Sequence, residues 1–134
     1  MSSSKEDRIR VLIIDDDLVN KELLQAVLEG EGYEVLSESD AISGVEVARQ
    51  QLPNIILMDV QLPETDGLEA TRMLKADVST EHIPVVAVTA HVRPDDQRRC
   101  LEVGCILHIG KPIDTRLLPE IIAEVLRENV EAHP

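Results

Sequence analysis

Aromatic side chains are almost missing from this chain of 134 residues, which has one Tyr, no Phe and no Trp. The core must therefore be built from Val, Ile, Leu, Ala and Met. Cysteine is also scarce: Cys100 and Cys105 are the only two, and they form no CxxC motif or His/Cys cluster. With no signal peptide and no apolar run of transmembrane length, we expect a reduced, cytoplasmic protein whose thiols pack in the core.

Positive charge is in short supply as well. Asp and Glu number 26 against 13 Lys and Arg, which gives a net charge of −13. This balance argues against nucleic acid and anionic membranes as partners, because surfaces that bind them are basic. At this length we expect one domain of ordinary size, with no room for a receptor, a DNA-binding domain or a second enzyme. A bound cation or a partner with a basic rim is the better expectation.

Four short apolar runs each lead into a polar residue whose chemistry suits phosphate. The runs are Val11–Ile14, Ile55–Met58, Val85–Val88 and Ile106–Ile109, and they lead into Asp15-Asp16-Asp17, Asp59, Thr89 and Gly110-Lys111-Pro112. Amphipathic helical patterns alternate with these runs, and Tyr33–Ser39 adds a weaker strand. Aliphatic strands of this kind are buried on both faces. The pattern therefore predicts an α/β fold, with a five-stranded parallel sheet and five helices on both faces.

The carboxyl ends of parallel strands share one edge of the sheet, where open α/β sheets bind ligands. If Asp15, Asp16 and Asp59 converge there, their mutual repulsion requires a counter-charge. Mg²⁺ suits such a site because it prefers hard oxygen ligands, and Lys111 offers a second positive charge. Asp59 could then be a nucleophile toward phosphorus, with the Thr89 hydroxyl donating to a phosphoryl oxygen. Taken singly, a residue of these types is more often a turn former, a helix cap or a surface residue than part of a phosphate site.

The polar segments together resemble the receiver domain of two-component response regulators. The matching motifs are Val11 to Asp17, Leu57 to Gly67, Val88-Thr89-Ala90 and Gly110-Lys111-Pro112. The resemblance covers about residues 9–128, which leaves residues 1–8 as a flexible segment and 129–134 as a tail. It implies a flavodoxin-like sheet of strand order 2-1-3-4-5 and a cis peptide bond before Pro112.

The resemblance also implies a role for single residues of the site. Asp59 is the expected phosphoacceptor. Asp16 is expected to bind Mg²⁺ (or Mn²⁺) directly and Asp15 largely through water, and the backbone carbonyl of Gln61 is a further ligand. Lys111 is expected to bridge to Asp59 at rest and to the phosphoryl group afterwards.

A second group of residues is expected to switch the domain or tune the lifetime of its phosphate. Thr89, followed in its motif by Ala90, is expected to move toward the phosphate. His108 stands where the family usually has Tyr or Phe. The coupling of this position to the movement of Thr89 is therefore expected to be weaker, pH-sensitive or made through other contacts. A half-buried His with no switching role is an equal alternative. Gln61 and His91 flank the path of the attacking water in the family and are expected to set that lifetime.

The functional prediction is a phosphorylation switch, which catalyses only its own phosphoryl transfer and dephosphorylation. A sensor histidine kinase or phosphotransfer protein is the expected donor, and output is by contact with a downstream protein. The expected output surface is the fourth helix, fifth strand and fifth helix, through which family members often form homodimers. Two alternatives are a phosphatase of the haloacid dehalogenase type, which needs a second Asp where Gln61 stands, and a receiver-like scaffold that is not phosphorylated.

Overall fold

Strands and helices alternate throughout the part of the chain that the computed structural model describes, residues 8–60, 67–90 and 94–132. The strands are β1 (Arg10–Ile14), β2 (Glu34–Glu38), β3 (Ile55–Asp59), β4 (Val85–Thr89) and β5 (Leu107–Gly110). The helices are α1 (Leu18–Gly30), α2 (Ala41–Gln51), α3 (Gly67–Lys75), α4 (Pro94–Glu102) and α5 (Leu118–Ala132). All neighbouring strands are parallel, in the order β2-β1-β3-β4-β5. The predicted fold class and strand order are confirmed.

The core consists of two aliphatic layers, one on each face of the sheet. Successive residues of a strand point to opposite faces. Leu12 and Ile14 of β1 therefore pack in the layer with α2, α3 and α4, whereas Val11 and Ile13 pack in the layer with α1 and α5. The central strands β3 and β4 are buried along their whole length. Among the described residues, no helix has the length and apolar character needed to cross a bilayer.

Both thiols lie in the first of these layers, as expected. Cys100 and Cys105 are free and buried. Burial raises the pKa of the Cys105 thiol to about 11. A buried thiol that is protonated at neutral pH is a poor nucleophile, which agrees with packing in the core.

Carboxylate caps set where the first two helices begin. Asp17 caps α1 through its side chain, and Asp40 caps α2 in the same way, so that α2 begins at Ala41. The last helix is longer than expected. It continues to Ala132, inside the segment expected as a tail, because neither Gly nor Pro occurs between Glu128 and that residue to end it.

The strand register gathers the polar strand ends at one edge of the sheet. Asp59 lies opposite Val88 in the pairing of β3 with β4, and Thr89 lies opposite Gly110 in the pairing of β4 with β5. The chain passes from β1 to β2 on one side and returns to β3 on the other. The edge beside β1 and β3 is therefore the point at which strand order reverses, where α/β sheets bind ligands.

Candidate functional site

Three carboxylates meet at this edge. Asp15 and Asp16 directly follow β1, and Asp59 is the last residue of β3. One oxygen of each side chain lies within 4.8 Å of the others. Asp15 and Asp59 are 2% and 3% exposed, whereas Asp16 is open to solvent. The structure thus brings together the three acidic residues that the sequence analysis singled out, with one of them facing outward.

Lys111 supplies positive charge to the cluster from the end of β5. Its Nζ lies 3.2 Å from Oδ2 of Asp59 and 3.5 Å from Oδ2 of Asp15. Burial alone would lower the pKa of Lys111, but attraction to Asp59 and Asp15 outweighs it and holds the pKa above its ordinary value of 10.5. The peptide bond between Lys111 and Pro112 is cis, as the resemblance implied.

Asp15 is held from three directions. Its Oδ1 accepts a hydrogen bond from the backbone N–H of Asp17 at 2.9 Å. Its Oδ2 accepts one from the side-chain amide of Asn20 at 2.5 Å and also faces Lys111. A carboxylate whose two oxygens are both engaged suits contact with a cation through water, as the resemblance implied for this position. The sequence analysis did not single out Asn20, and its only signal is a place in the first turn of α1.

The predicted switch residue Thr89 ends β4 at the same edge. Thr89 is 2% exposed, and the next residue, Ala90, is exposed. The backbone carbonyl of Thr89 accepts a hydrogen bond from the N–H of Lys111 at 2.8 Å, which ties β4 to the residue that faces the carboxylates. Gln61 and His91 lie outside the described residues.

His108 occupies the middle of the edge strand β5. Its neighbours Leu107 and Ile109 pack in the α1–α5 layer, so His108 lies on the opposite face of the sheet, the one that α4 covers. It is half-buried and in register with Ala87 of β4.

Gly67 packs directly against the backbone at the end of β3. A Cβ atom at this position would lie 2.3 Å from the carbonyl oxygen of Asp59 and 2.7 Å from Cα of Val60. The N–H of Gly67 also donates to the carbonyl of Val60 at 3.3 Å. The sequence analysis treated Gly67 only as part of a motif. The structure makes it the first residue of α3, and only glycine fits so close to the end of β3.

The substitution Lys111→Met tests whether the positive charge of Lys111 stabilises the three carboxylates. In chelator, we expect this substitution to lower the free energy of unfolding by about 2 kcal/mol, between the values for exposed and fully buried ion pairs. The pKa of Lys111 is higher in the folded protein than in the unfolded chain. The stabilisation of the fold by the charged ammonium is therefore complete below pH 10.5, and it is lost as the pH rises through the pKa of the folded protein. Urea unfolding of both proteins should therefore show a difference at pH 8 that shrinks toward pH 12.

Lys21→Met is the matched control for this measurement. Nζ of Lys21 donates to the hydroxyl of Ser39 and faces no carboxylate in the described contacts. Loss of the Lys21 ammonium should change the free energy of unfolding little, and that small change should not depend on pH between 8 and 12. An equal and pH-independent loss in both variants would contradict the assigned role of Lys111.

The donor set fits a hard divalent cation. Ionised carboxylates offer only acceptor oxygens, and three of them lie close together with Asp16 facing solvent. Mg²⁺ is typically held by one or two carboxylates and keeps several of its waters. The residues present therefore suit Mg²⁺ at an acidic pocket, with room for water on the side of Asp16.

A parallel sheet with this acidic pocket at its carboxyl edge is typical of signalling receiver domains. The chain belongs to the response regulator receiver domain family, whose sequence model matches residues 11–123. It is similar to the polar-differentiation response regulator DivK of Brucella anthropi, with 40% identity over 116 residues, which cover 87% of this chain and 94% of DivK. The predicted family is confirmed.

Two solved structures of receiver domains show the same fold. A CheY-like receiver domain protein from Methanospirillum hungatei has a TM-score of 0.88 and 28% identity, covering 94% of this chain and 99% of its own. The receiver domain of the sensor histidine kinase PA1611 from Pseudomonas aeruginosa has a TM-score of 0.82 and 32% identity, covering 89% and 98%. That structure has a magnesium ion coordinated in its active-site cleft. These similarities agree with a phosphorylation-dependent signalling switch and do not favour the phosphatase alternative.

Proposed function

We propose that Asp59 accepts a phosphoryl group from a phosphohistidine of a sensor histidine kinase or phosphotransfer protein. One observation carries this proposal: the buried Asp59 carboxylate is contacted by the Lys111 ammonium, 3.2 Å away, beside Asp15 and Asp16. An oxygen of Asp59 forms the new bond to phosphorus while the bond from phosphorus to the histidine nitrogen breaks. The nitrogen keeps the electron pair, and the product is an acyl phosphate.

The acidic residues divide the work of holding Mg²⁺ (or Mn²⁺) in this proposal. Asp16, the exposed member, and Asp59 would contact the ion directly, and Asp15 would contact it through water. The backbone carbonyl of Gln61 completes the proposed ligand set. When bound, the ion supplies positive charge to the phosphoryl oxygens, which is the main requirement of phosphoryl transfer.

Lys111 and Thr89 act on the phosphorylated form. The ammonium of Lys111, already at the acceptor, pairs with a phosphoryl oxygen once Asp59 is modified. The hydroxyl of Thr89 donates to another. Movement of Thr89 toward the phosphate then alters the end of β4, which continues into Ala90. Gln61 and His91 tune the lifetime of the phosphate, and His108 on β5 responds to the movement of Thr89.

The proposed output surface consists of α4, β5 and α5, within a receiver unit of residues 9–128. A groove of about 600 Å³ lies between the last two elements, with Leu107, Ile121 and Val125 among its lining residues. Leu101 and Ile106 are exposed nearby, which suits a protein partner. A downstream target protein and a second copy of the chain are the proposed occupants, and the two free thiols suit a reducing, cytoplasmic setting.

Incubation with a small phosphodonor tests this function. With acetyl phosphate and Mg²⁺, we expect the protein to gain one phosphoryl group per chain, measured by intact mass, and to gain none with excess chelator. With p-nitrophenyl phosphate, we expect no catalytic turnover. Steady release of p-nitrophenol beyond one equivalent would instead indicate a phosphatase, and no labelling by acetyl phosphate or phosphoramidate would indicate a scaffold.

A further inference from the structure

We propose that Asn20 is a positioning residue of the acidic pocket, which fixes the Asp15 carboxylate and thereby sets the affinity for Mg²⁺. This inference rests on the proposed function, because it assigns Asp15 to the ion through water. The hydrogen bond from Nδ2 of Asn20 to Oδ2 of Asp15, at 2.5 Å, is the shortest of the three contacts that hold this carboxylate. Asn20 lies in the first turn of α1, and Asp15 lies between β1 and the exposed Asp16.

A closed ring of three hydrogen bonds holds Asn20 in place. The backbone N–H of Asp17 donates to Oδ1 of Asp15 at 2.9 Å. Oδ1 of Asp17 accepts from the backbone N–H of Asn20 at 3.2 Å, as part of the helix cap. The amide of Asn20 closes the ring on the second oxygen of Asp15. Because each of the three residues is bonded to the other two, the plane of the Asp15 carboxylate is fixed by the start of the helix.

The ring also affects how Lys111 is shared between two carboxylates. Its ammonium lies nearer to Asp59, at 3.2 Å, than to Asp15, at 3.5 Å. Asn20 already satisfies the oxygen of Asp15 that faces Lys111. Without the amide of Asn20, Lys111 is the other contact of this oxygen that the structure describes. The carboxylate could then rotate about its Cβ–Cγ bond, a torsion with broad minima. We therefore expect loss of Asn20 both to loosen the metal pocket and to draw Lys111 away from Asp59.

Mg²⁺ titration calorimetry of Asn20→Leu tests this role without any phosphodonor. Leucine has a similar size but no N–H group, so the hydrogen bond to Asp15 is lost while bulk is kept. We expect the dissociation constant for Mg²⁺ to rise about tenfold, the lower end of what loss of a residue that orients a metal ligand causes. Asn20→Ala, a better helix former, serves as a second variant in case leucine disturbs the fold.

Gln25→Leu is the matched control, because it removes another amide that contacts a carboxylate on α1. Nε2 of Gln25 donates to Glu29 at 3.1 Å, away from the pocket. This variant should bind Mg²⁺ with the affinity of the wild type. A comparable loss in the control would assign the effect to the helix as a whole and overturn the proposal.

A double-mutant cycle separates positioning from general weakening. In an Asp15→Asn background, the added change Asn20→Leu should weaken Mg²⁺ binding no further, since the carboxylate it orients is absent. Additive losses would overturn the inference. If the wild type binds Mg²⁺ and is phosphorylated but Asn20→Leu leaves the affinity unchanged, this inference alone fails. If the wild type binds no Mg²⁺, the proposed metal site fails with it.

Discussion

Asp59→Asn is expected to abolish phosphorylation completely. The substitution keeps the size of the side chain but replaces the carboxylate, the proposed nucleophile, with an amide, which cannot form an acyl phosphate. It also removes the negative charge that Lys111 contacts at 3.2 Å. After incubation with acetyl phosphate and Mg²⁺, intact mass spectrometry should show the phosphorylated species for the wild type and none for the variant.

Asp40→Asn provides a control at the same edge of the sheet. Asp40 follows β2 and caps α2 by accepting a hydrogen bond from the N–H of Ser43 at 2.8 Å. Asparagine is an equally good cap, so the fold should be unchanged and labelling should match the wild type. Phosphorylation of Asp59→Asn at the same peptide, or its loss in Asp40→Asn, would show that the acceptor has been wrongly assigned.

The architecture was predictable because the central strands are aliphatic throughout. β3 and β4 are buried on both faces, and such runs are typical only of a sheet covered on both sides. The strand order did not follow from this pattern and came from the family resemblance, since the order depends on which side of the sheet each crossover passes. The edge strand β2 was predicted within one residue at each end, although its half-buried residues give a weaker apolar signal.

The position of the acidic residues was predictable for a similar reason. Asp15, Asp59 and Lys111 each stand at or just beyond the end of a strand, and parallel strands bring these ends to one edge. The contacts of Asn20 and Gly67 were not predictable in this way. The first depends on the direction of one amide within a helix turn, and the second on how closely a helix approaches a strand.

The contact between α3 and the end of β3 makes Gly67→Ala the substitution with the largest expected effect on stability. Its Cβ would lie 2.3 Å from the carbonyl oxygen of Asp59. Backbone atoms cannot rotate away as a side chain can, and the next residue, Val60, is bonded through its N–H to the carbonyl of Val88 at 3.1 Å. The helix must therefore move, and overpacking of this kind costs about 3 kcal/mol. Urea unfolding should show this loss.

Gly30→Ala is the control that separates close approach from the general effect of adding a methyl group. Gly30 is the last residue of α1, and a Cβ there would meet nothing within 4 Å. Alanine should stabilise this position by about 0.5–1 kcal/mol, because glycine loses more conformational freedom on folding. In Gly67→Ala, displacement of α3 from the end of β3 should also slow labelling by acetyl phosphate. If both variants have wild-type stability and labelling rates, α3 does not hold the acceptor in place. If Gly67→Ala is destabilised and labels slowly, while Gly30→Ala is not destabilised and labels at the wild-type rate, the packing of one backbone against another positions Asp59.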